Sequence, residues 1–450
     1  MSVRVRFAPS PTGLLHIGNA RAALINWLFA KKHQGVFMLR LDDTDLDRSE
    51  DRYAQAIAED LAWLGLHHHE FAQQSKRFDR YQQAMQSLID TGRLYPCYET
   101  PEELDYKRKR QLAKGEPPIY DRAALHLTAE QKATAVNQGI QPHWRFQLNP
   151  GPIQWHDLVR GPVEFHGDRL SDPVLVRADG AFLYTLTSVV DDLDFAITHI
   201  LRGEDHVTNA AVQIQLFQAL NNDQPVTITF GHTTLLMDAQ GHALSKRLGS
   251  LSLGTLRESG IEPMAINSLL ARLGTSLPVE PVLDLDALAA DFDLGTFSRT
   301  PPHFNEDDLK VLDHKLLQLM PYDFVQDRLK NLGAIHITGD VWIVIRGNIQ
   351  TLQDVLVWEG VLYGNLSLVI TDSDQDFMRV ALASLPIAPW STETWLTWTN
   401  TIKAETGRKG KALYMPLRQA LTGMDHGPEM KDLLPLLGYE RTKERLENHV

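Results

Sequence analysis

Two short stretches of the sequence carry residue types that could handle a polyphosphate. The first is Pro9-Ser10-Pro11-Thr12-Gly13-Leu14-Leu15-His16-Ile17-Gly18-Asn19. His16 and Asn19 stand three residues apart, so at helical spacing both project from one side of a first turn. Each offers donors to phosphate oxygens. Unpaired N–H groups and the positive end of a helix dipole favour anions at the same place. Gly18 has no side chain, which lets a flat base lie against the backbone. Taken singly, His16 reads as a capping histidine in a plain Pro/Gly turn. The second stretch is Ala243-Leu244-Ser245-Lys246-Arg247, after the loop Met237-Asp238-Ala239-Gln240-Gly241-His242. Lysine there supplies a point charge and arginine a planar fork, and a short loop carrying both can close over a polyphosphate. Ser-Lys-Arg alone is a common surface string; both stretches in one chain are far more specific than either.

The first stretch needs a strand before it and a helix after it. Residues 3–7 alternate as a strand, and the two prolines and the glycine that follow forbid regular structure. From Ile17, the residues Ala22, Ala23, Leu24, Ile25, Leu28 and Phe29 recur at helical spacing. Gly35 ends that helix, and residues 36–41 form a second strand. Strand, turn, helix, strand is the βαβ unit that parallel pairing requires. It predicts a nucleotide-binding α/β sheet with its ligand at the strand C-termini. Residues 50–90 read as helical, on Ile57, Leu61, Leu64, Tyr81, Met85 and Leu88. The stretch 95–180 mixes a basic helix, prolines and short strands, and reads as an insertion. Strand and helix patterns return over 182–220 and end near Phe230. Past Gly254 the chain turns helical. From about 306, helices and turns rich in tryptophan (342, 358, 390, 395, 398) predict an all-helical C-terminal domain. Segments 278–300 and 362–376 show no clear pattern.

A chain of 450 residues is too long for one core and implies about two to four domains. Its 43% apolar and 22% charged composition is that of an ordinary globular protein. No apolar run reaches the roughly 20 residues that span a bilayer, and no secretory signal is visible. The lone Cys97 excludes an internal disulfide framework. These features predict a cytoplasmic protein without a membrane partner. The net charge of −13 argues weakly against nucleic acid. It conceals the basic clusters Lys107-Arg108-Lys109-Arg110 with Lys114, and Arg408-Lys409-Gly410-Lys411, which could steer a polyanion locally. On charge alone each reads as a solvated helix face.

The two polyphosphate stretches resemble the HIGH and KMSKS motifs of class I aminoacyl-tRNA synthetases. The strings at 6–13, 39–45 (Leu-Arg-Leu-Asp-Asp-Thr-Asp), 189–192 (Val-Val-Asp-Asp) and 201–206 (Leu-Arg-Gly-Glu-Asp-His) resemble glutamyl-tRNA synthetases in order and spacing. Thr406-Gly407-Arg408-Lys409-Gly410-Lys411-Ala412-Leu413, with Pro416-Leu417-Arg418, Ala420-Leu421-Thr422-Gly423 and Gly427-Pro428, resembles the helical anticodon-binding domain of bacterial members. The resemblance covers essentially the whole chain. It implies an α/β fold: a class I synthetase Rossmann-like catalytic domain at 1–80 and 186–235, with an acceptor-end-binding domain inserted at 81–185. A stem-contact region at 236–305 with the KMSKS-like loop and a helical anticodon-binding domain at 306–450 complete the expectation.

The resemblance also implies a reaction: L-glutamate is activated by ATP as glutamyl-adenylate, then passed to the 3′ end of tRNA, releasing AMP and pyrophosphate. ATP with Mg²⁺ is the implied cofactor. His16, Asn19 and Lys246 would hold the phosphates, with Gly18, Glu204, Leu236, Ser245 and Arg247 completing the ATP site. Arg6 and Arg202, helped by the Tyr184 hydroxyl, would take the substrate carboxylate. Ser10 and Asp42 would face the amino group, with Ser188 alongside; Arg408, Lys409 and Lys411 would contact tRNA. The implied partner is tRNA-Glu, with tRNA-Gln open as a second, and a monomer is the family expectation.

The chain departs from the family pattern at several positions. Asn19 replaces a second histidine and Ala243 replaces a lysine. Asp42 stands where many members have glutamate, and aspartate there also resembles glutaminyl-tRNA synthetases. Ser188 replaces an asparagine seen in some relatives. Many bacterial members bind zinc in the insertion through cysteines and a histidine. Cys97 has no partner cysteine, so no structural zinc is expected, and His67-His68-His69 reads as an exposed loop. A glutaminyl-tRNA synthetase would carry β-barrel anticodon domains, and the short paralogue that modifies a tRNA base lacks that domain. A non-catalytic tRNA-binding paralogue stays open through Ala243. Lys246→Ala is expected to fold normally and to lose about 10²–10³ in rate, the usual effect of removing one contact to developing charge; near-normal activation kinetics would remove its phosphate role.

Overall fold

The computed structural model describes residues 2–222, 224, 226–238, 240–242, 244, 252–364 and 374–450. Ala243, Ser245, Lys246, Arg247 and most of the patternless segment 362–376 lie outside them. The described residues divide into two compact units, one of residues 1–259 and 266–306, the other of 260–265 and 307–450.

In the first unit, β1 (Arg4–Phe7), β2 (Val36–Leu41) and β3 (Glu70–Gln73) pair in parallel, with β2 in the middle. The β2 sequence Val-Phe-Met-Leu-Arg-Leu is buried along nearly its whole length, as a central parallel strand must be. Helix α1 (Ile17–Lys32) makes the crossover from β1 to β2. Gly35 is required where β2 enters: a Cβ there would sit 2.3 Å from the Val3 carbonyl oxygen, which accepts from the Val36 N–H at 2.8 Å.

The expected helical stretch 50–90 is interrupted. Helices α2 (Asp51–Trp63) and α3 (Phe78–Asp90) flank β3. The four residues Glu-Phe-Ala-Gln carry no strand pattern of their own. They become a strand by pairing with β2, from Met38 opposite Glu70 to Leu41 opposite Gln73. Among the described residues β3 has one strand neighbour, and its Phe71 is exposed.

The insertion contributes β4 (Leu94–Cys97), α4 (Pro101–Ala113), α5 (Ala129–Asn137), β5 (His143–Phe146), β6 (Pro152–Asp157), β7 (Gly161–His166) and β8 (Val174–Val176). β4, β5 and β8 form an antiparallel sheet, and β6–β7 is a hairpin. The chain then returns through α6 (Tyr184–Asp194), β9 (His199–Gly203), α7 (Val207–Leu220) and β10 (Thr229–Thr233). β9 and β10 pair in parallel. β9 is tied to β1 where the Thr198 N–H donates to the Arg4 carbonyl at 3.0 Å and the Arg4 N–H donates to Thr198 Oγ1 at 2.8 Å. One core runs under both parts: Phe146, Leu148 and Leu175 of the insertion pack in the same cluster as Met38, Val189, Ile200 and Phe230. Helices α8 (Leu253–Glu258), α9 (Pro263–Arg272) and α10 (Leu285–Asp291) follow.

The second unit is helical in its described residues, running to a last helix at Tyr439–Glu447. Trp342 and Trp398 are fully buried there, and each indole N–H has an acceptor, the Met320 carbonyl at 2.8 Å and the Ala381 carbonyl at 3.0 Å. Among the described residues, no helix is long and apolar enough to cross a membrane.

Candidate active site

A cavity of about 500 Å³ opens where β1, β2, β9 and β10 end and α1 begins. That volume suits a small-molecule ligand. Arg6 and Ser10 reach it from β1 and its turn, Asp42 from the end of β2, Tyr184 from α6, Arg202 and His206 from the end of β9, and Leu236 from beyond β10. His16, Gly18 and Asn19 line it at the start of α1.

Beneath the cavity floor lies a buried charge network. Arg6 donates to both oxygens of Asp192, at 3.0 and 3.3 Å. Arg40 donates to Asp42 at 2.7 Å and to Asp192 at 2.8 Å. Asp191, one residue earlier on α6, accepts from Gln74, Arg77 and the Tyr81 hydroxyl. Burial works against the Arg40 charge, but Asp42, Asp192 and Asp191 outweigh it and hold the guanidinium protonated. Burial pushes Asp42 up to about 6 against the pull of Arg40. Both Asp42 oxygens are therefore already engaged, and Arg6 reaches the cavity with two nitrogens committed to Asp192.

Arg202 differs. Its donors go to the Tyr184 hydroxyl at 3.1 Å, Gln213 Oε1 at 2.7 Å, the His206 carbonyl at 3.3 Å and His232 Nε2 at 3.3 Å. All four acceptors are neutral groups or suited to be so. Among the described residues, no carboxylate lies within ion-pair distance of it, although it is only 8% exposed. Burial lowers its pKa, Arg6 adds to the effect, and Tyr184 and the nearby Asp192 carboxylate oppose it. A buried cation with no carboxylate in direct contact among the described residues favours an incoming anion.

His16 is the N-cap of α1. Its Nδ1 accepts from the Gly18 N–H at 3.0 Å, and Asn19 Oδ1 accepts from the His16 N–H at 3.3 Å. This reciprocal box uses N–H groups that the sequence left free for phosphate. Among the donors that remain are the side-chain nitrogens, Nε2 of His16 and Nδ2 of Asn19. With Nδ1 accepting, the proton of a neutral ring sits on Nε2, and burial favours that neutral ring. Gly18 serves the cap as well, because a Cβ there would lie 2.9 Å from His16 Cε1.

Two expected site residues fall outside the cavity wall. Ser188 lies one layer behind: its hydroxyl accepts from Gln213 at 2.9 Å, and Gln213 in turn holds Arg202. Glu204 accepts from Arg160 at 2.6 Å. Ser245, Lys246 and Arg247 are outside the described residues, although Leu244 lines the cavity. Arg408 is engaged by Asp374 at 2.5 Å and lies over the Phe377 ring, whereas Lys409 and Lys411 are exposed. Lys107 of the other basic cluster pairs with Asp121 at 3.1 Å and Lys109 with Asp105 at 2.7 Å.

Sequence reasoning missed Arg21. It lines the cavity and donates to the carbonyls of Thr234 and Leu273, at 2.7 and 2.9 Å, and burial lowers it to about 10. A signal was present: Arg21 sits on the same helical stripe as Ile17, Leu24 and Leu28, where an apolar residue is expected. His206, Asn26 and Thr233 also line the cavity and carried no signal of their own.

In the insertion, Cys97, Glu99 and His143 bring potential metal-ligand atoms within 4.8 Å of one another. The Tyr120 hydroxyl already contacts two of them, donating to Glu99 at 2.8 Å and lying 3.7 Å from Cys97 Sγ. Burial pushes the Cys97 thiol up to about 11. His67, His68 and His69 are exposed, as expected of a loop.

Residues 2–311 match the family described as tRNA synthetases class I (E and Q), catalytic domain, and residues 366–450 match an anticodon binding domain. The chain belongs to this class I tRNA synthetase family. It is 51% identical to glutamate–tRNA ligase 1 of Maricaulis maris, with 98% of each chain covered. It is 52% identical to glutamate–tRNA ligase of Azospirillum brasilense, with 99% of each covered. A crystal structure of a glutamate tRNA ligase from Elizabethkingia meningosepticum in complex with its amino acid superposes with a TM-score of 0.85 at 26% identity, covering 100% of this chain and 99% of that one.

Asp192 bridges Arg6 and Arg40, so Asp192→Asn should cost about 3–5 kcal/mol in denaturant unfolding, the range for breaking a buried pair from one side. Arg80→Ala, at a half-exposed pair with Asp194, is the control and should cost no more than about 1 kcal/mol.

Proposed function

We propose that this protein attaches L-glutamate to the 3′ end of tRNA in two steps driven by ATP. Glutamate attacks the α-phosphate, giving glutamyl-adenylate and pyrophosphate; the terminal ribose hydroxyl then takes the glutamyl group and AMP leaves. Arg202 carries this reading, as a buried cavity-wall cation with neutral partners among the described residues. A glutamate side-chain carboxylate supplies the missing charge, whereas glutamine does not. Charge-assisted bonds from Arg202, with the Tyr184 hydroxyl, fix its orientation. Asp42 and Ser10 face the amino group, and Arg6 adds positive potential from beneath.

ATP lies along the start of α1, entering with Mg²⁺. The His16 and Asn19 side chains donate to its phosphates, and Lys246 of the second motif is assigned to the same phosphates by the family resemblance. Catalysis is then mainly positioning and stabilisation of charge that gathers on phosphate. The catalytic domain comprises 1–80 and 186–235, the acceptor-end domain 81–185, the stem-contact region 236–305 and the anticodon-binding domain 306–450. Exposed Lys409 and Lys411 contact tRNA phosphates; Arg408 chiefly ties its segment to the start of the helix Gln375–Ala383 through Asp374 and Phe377. The protein works as a cytoplasmic monomer, with tRNA-Glu as partner and tRNA-Gln open as a second.

Aminoacylation of purified tRNA-Glu and tRNA-Gln with glutamate or glutamine tests this reading directly. Arg202→Gln should raise the glutamate KM sharply, change ATP binding much less, and narrow the preference for glutamate over glutamine. A drop in melting temperature and rate with that preference unchanged would reduce Arg202 to a scaffold.

The insertion should fold without structural zinc. Its cluster offers three donors, one an unfavourably buried thiol, where closed zinc sites have about four. Elemental analysis should find no stoichiometric metal; one zinc per chain surviving dialysis overturns this.

A further inference from the structure

Arg202 can serve an incoming carboxylate only if its planar fork is held in one orientation without being neutralised. Strands β9 and β10 pair with Arg202 opposite His232, which places both side chains on one face of the sheet. His232 is fully buried. Its Nε2 lies 3.3 Å from Arg202 Nε, and its Nδ1 lies 2.6 Å from Asp157 Oδ2.

The protons follow from chemistry. A guanidinium only donates, so Nε2 must accept. An ionised carboxylate only accepts, so Nδ1 must carry the hydrogen. One neutral tautomer satisfies both contacts; an imidazolium would point an N–H at a cation. Asp157 is suited to stay ionised: burial opposes its charge, but His232 and the backbone N–H groups of Arg160, His232 and Val159 outweigh that and hold its carboxyl at about 2. Burial, with Arg202 adding, keeps the His232 ring neutral against the pull of Asp157.

We propose that Asp157 and His232 are positioning residues for amino-acid selection: Asp157 fixes the His232 tautomer whose Nε2 holds the Arg202 guanidinium in place without pairing it directly with a carboxylate. This rests on Arg202 receiving the substrate carboxylate. A carboxylate in direct contact with Arg202 would orient it equally well but would neutralise it. Interposing a neutral ring keeps the orientation and places the negative charge one residue further away. Asp157 ends β6 of the insertion, so this alignment depends on the insertion's hairpin being seated against β10.

Three variants of the full-length enzyme separate the roles. In His232→Asn the amide nitrogen falls near Nδ1, so the Asp157 contact survives and the Arg202 contact is lost. In His232→Gln the amide oxygen falls near Nε2, so the Arg202 contact is kept. Asp157→Asn is nearly isosteric but can donate to Nδ1, which moves the ring proton to Nε2 against Arg202. His232→Asn and Asp157→Asn should raise the glutamate KM about ten-fold, the effect of losing one hydrogen bond to a charged group, with the ATP KM little changed. His232→Gln should recover most of the glutamate KM. If all three lower the melting temperature and leave the ratio of glutamate to ATP KM unchanged, or if Asn and Gln at 232 behave alike, the positioning role is overturned. Arg202→Gln measured alongside distinguishes the two failures: if it raises the glutamate KM where the three do not, only the positioning role falls, and if it does not, the carboxylate role of Arg202 falls first.

Discussion

A guanidinium or a carboxylate cannot be buried alone without a cost of several kcal/mol, and the catalytic unit is organised around that constraint. Asp192 sits where β1, β2 and α6 converge and accepts from Arg6 and Arg40 at once. Arg40 is shared onward with Asp42, and Asp191 gathers Gln74, Arg77 and Tyr81 from the segment after β3. The strands that carry the site are thus tied by ionic contacts as well as by backbone pairing. Moving one strand end would strand a charge, so the cavity floor is fixed against small displacements.

Beside that balanced network, Arg202 stands out. Arg6, Arg40 and Arg77 each contact a carboxylate; Arg202 and Arg21 contact none among the described residues. Both line the cavity, so guanidinium groups without a carboxylate contact among the described residues face it although the whole chain carries −13. A net charge therefore says little about a site whose charges are placed individually.

His16 shows how a structural role can prepare the proposed chemical one. By capping α1 through Nδ1 it leaves Nε2 as the ring's donor, and the glycine two residues on gives the ring room. The capping reading and the phosphate reading of this histidine are compatible, because the first sets the tautomer that the second uses.

Local pattern in the sequence determined much. The strand-turn-helix-strand unit at 3–41, the helical C-terminal part and the resemblance to class I synthetases all follow from short-range spacing, because periodicity and turn chemistry are written in neighbouring residues. Of the residues expected at the site, Arg6, Ser10, His16, Gly18, Asn19, Asp42, Tyr184, Arg202 and Leu236 line one cavity. What the sequence could not decide was which polar groups satisfy one another. Strand β3 exists only because β2 is beside it. Ser188 and Glu204 turn to Gln213 and Arg160, Arg408 turns to Asp374, and His232 finds Arg202 and Asp157 across 30 and 75 residues of chain. A buried hydrogen bond depends on distance and direction in space, and residues that far apart acquire both only when the chain has folded.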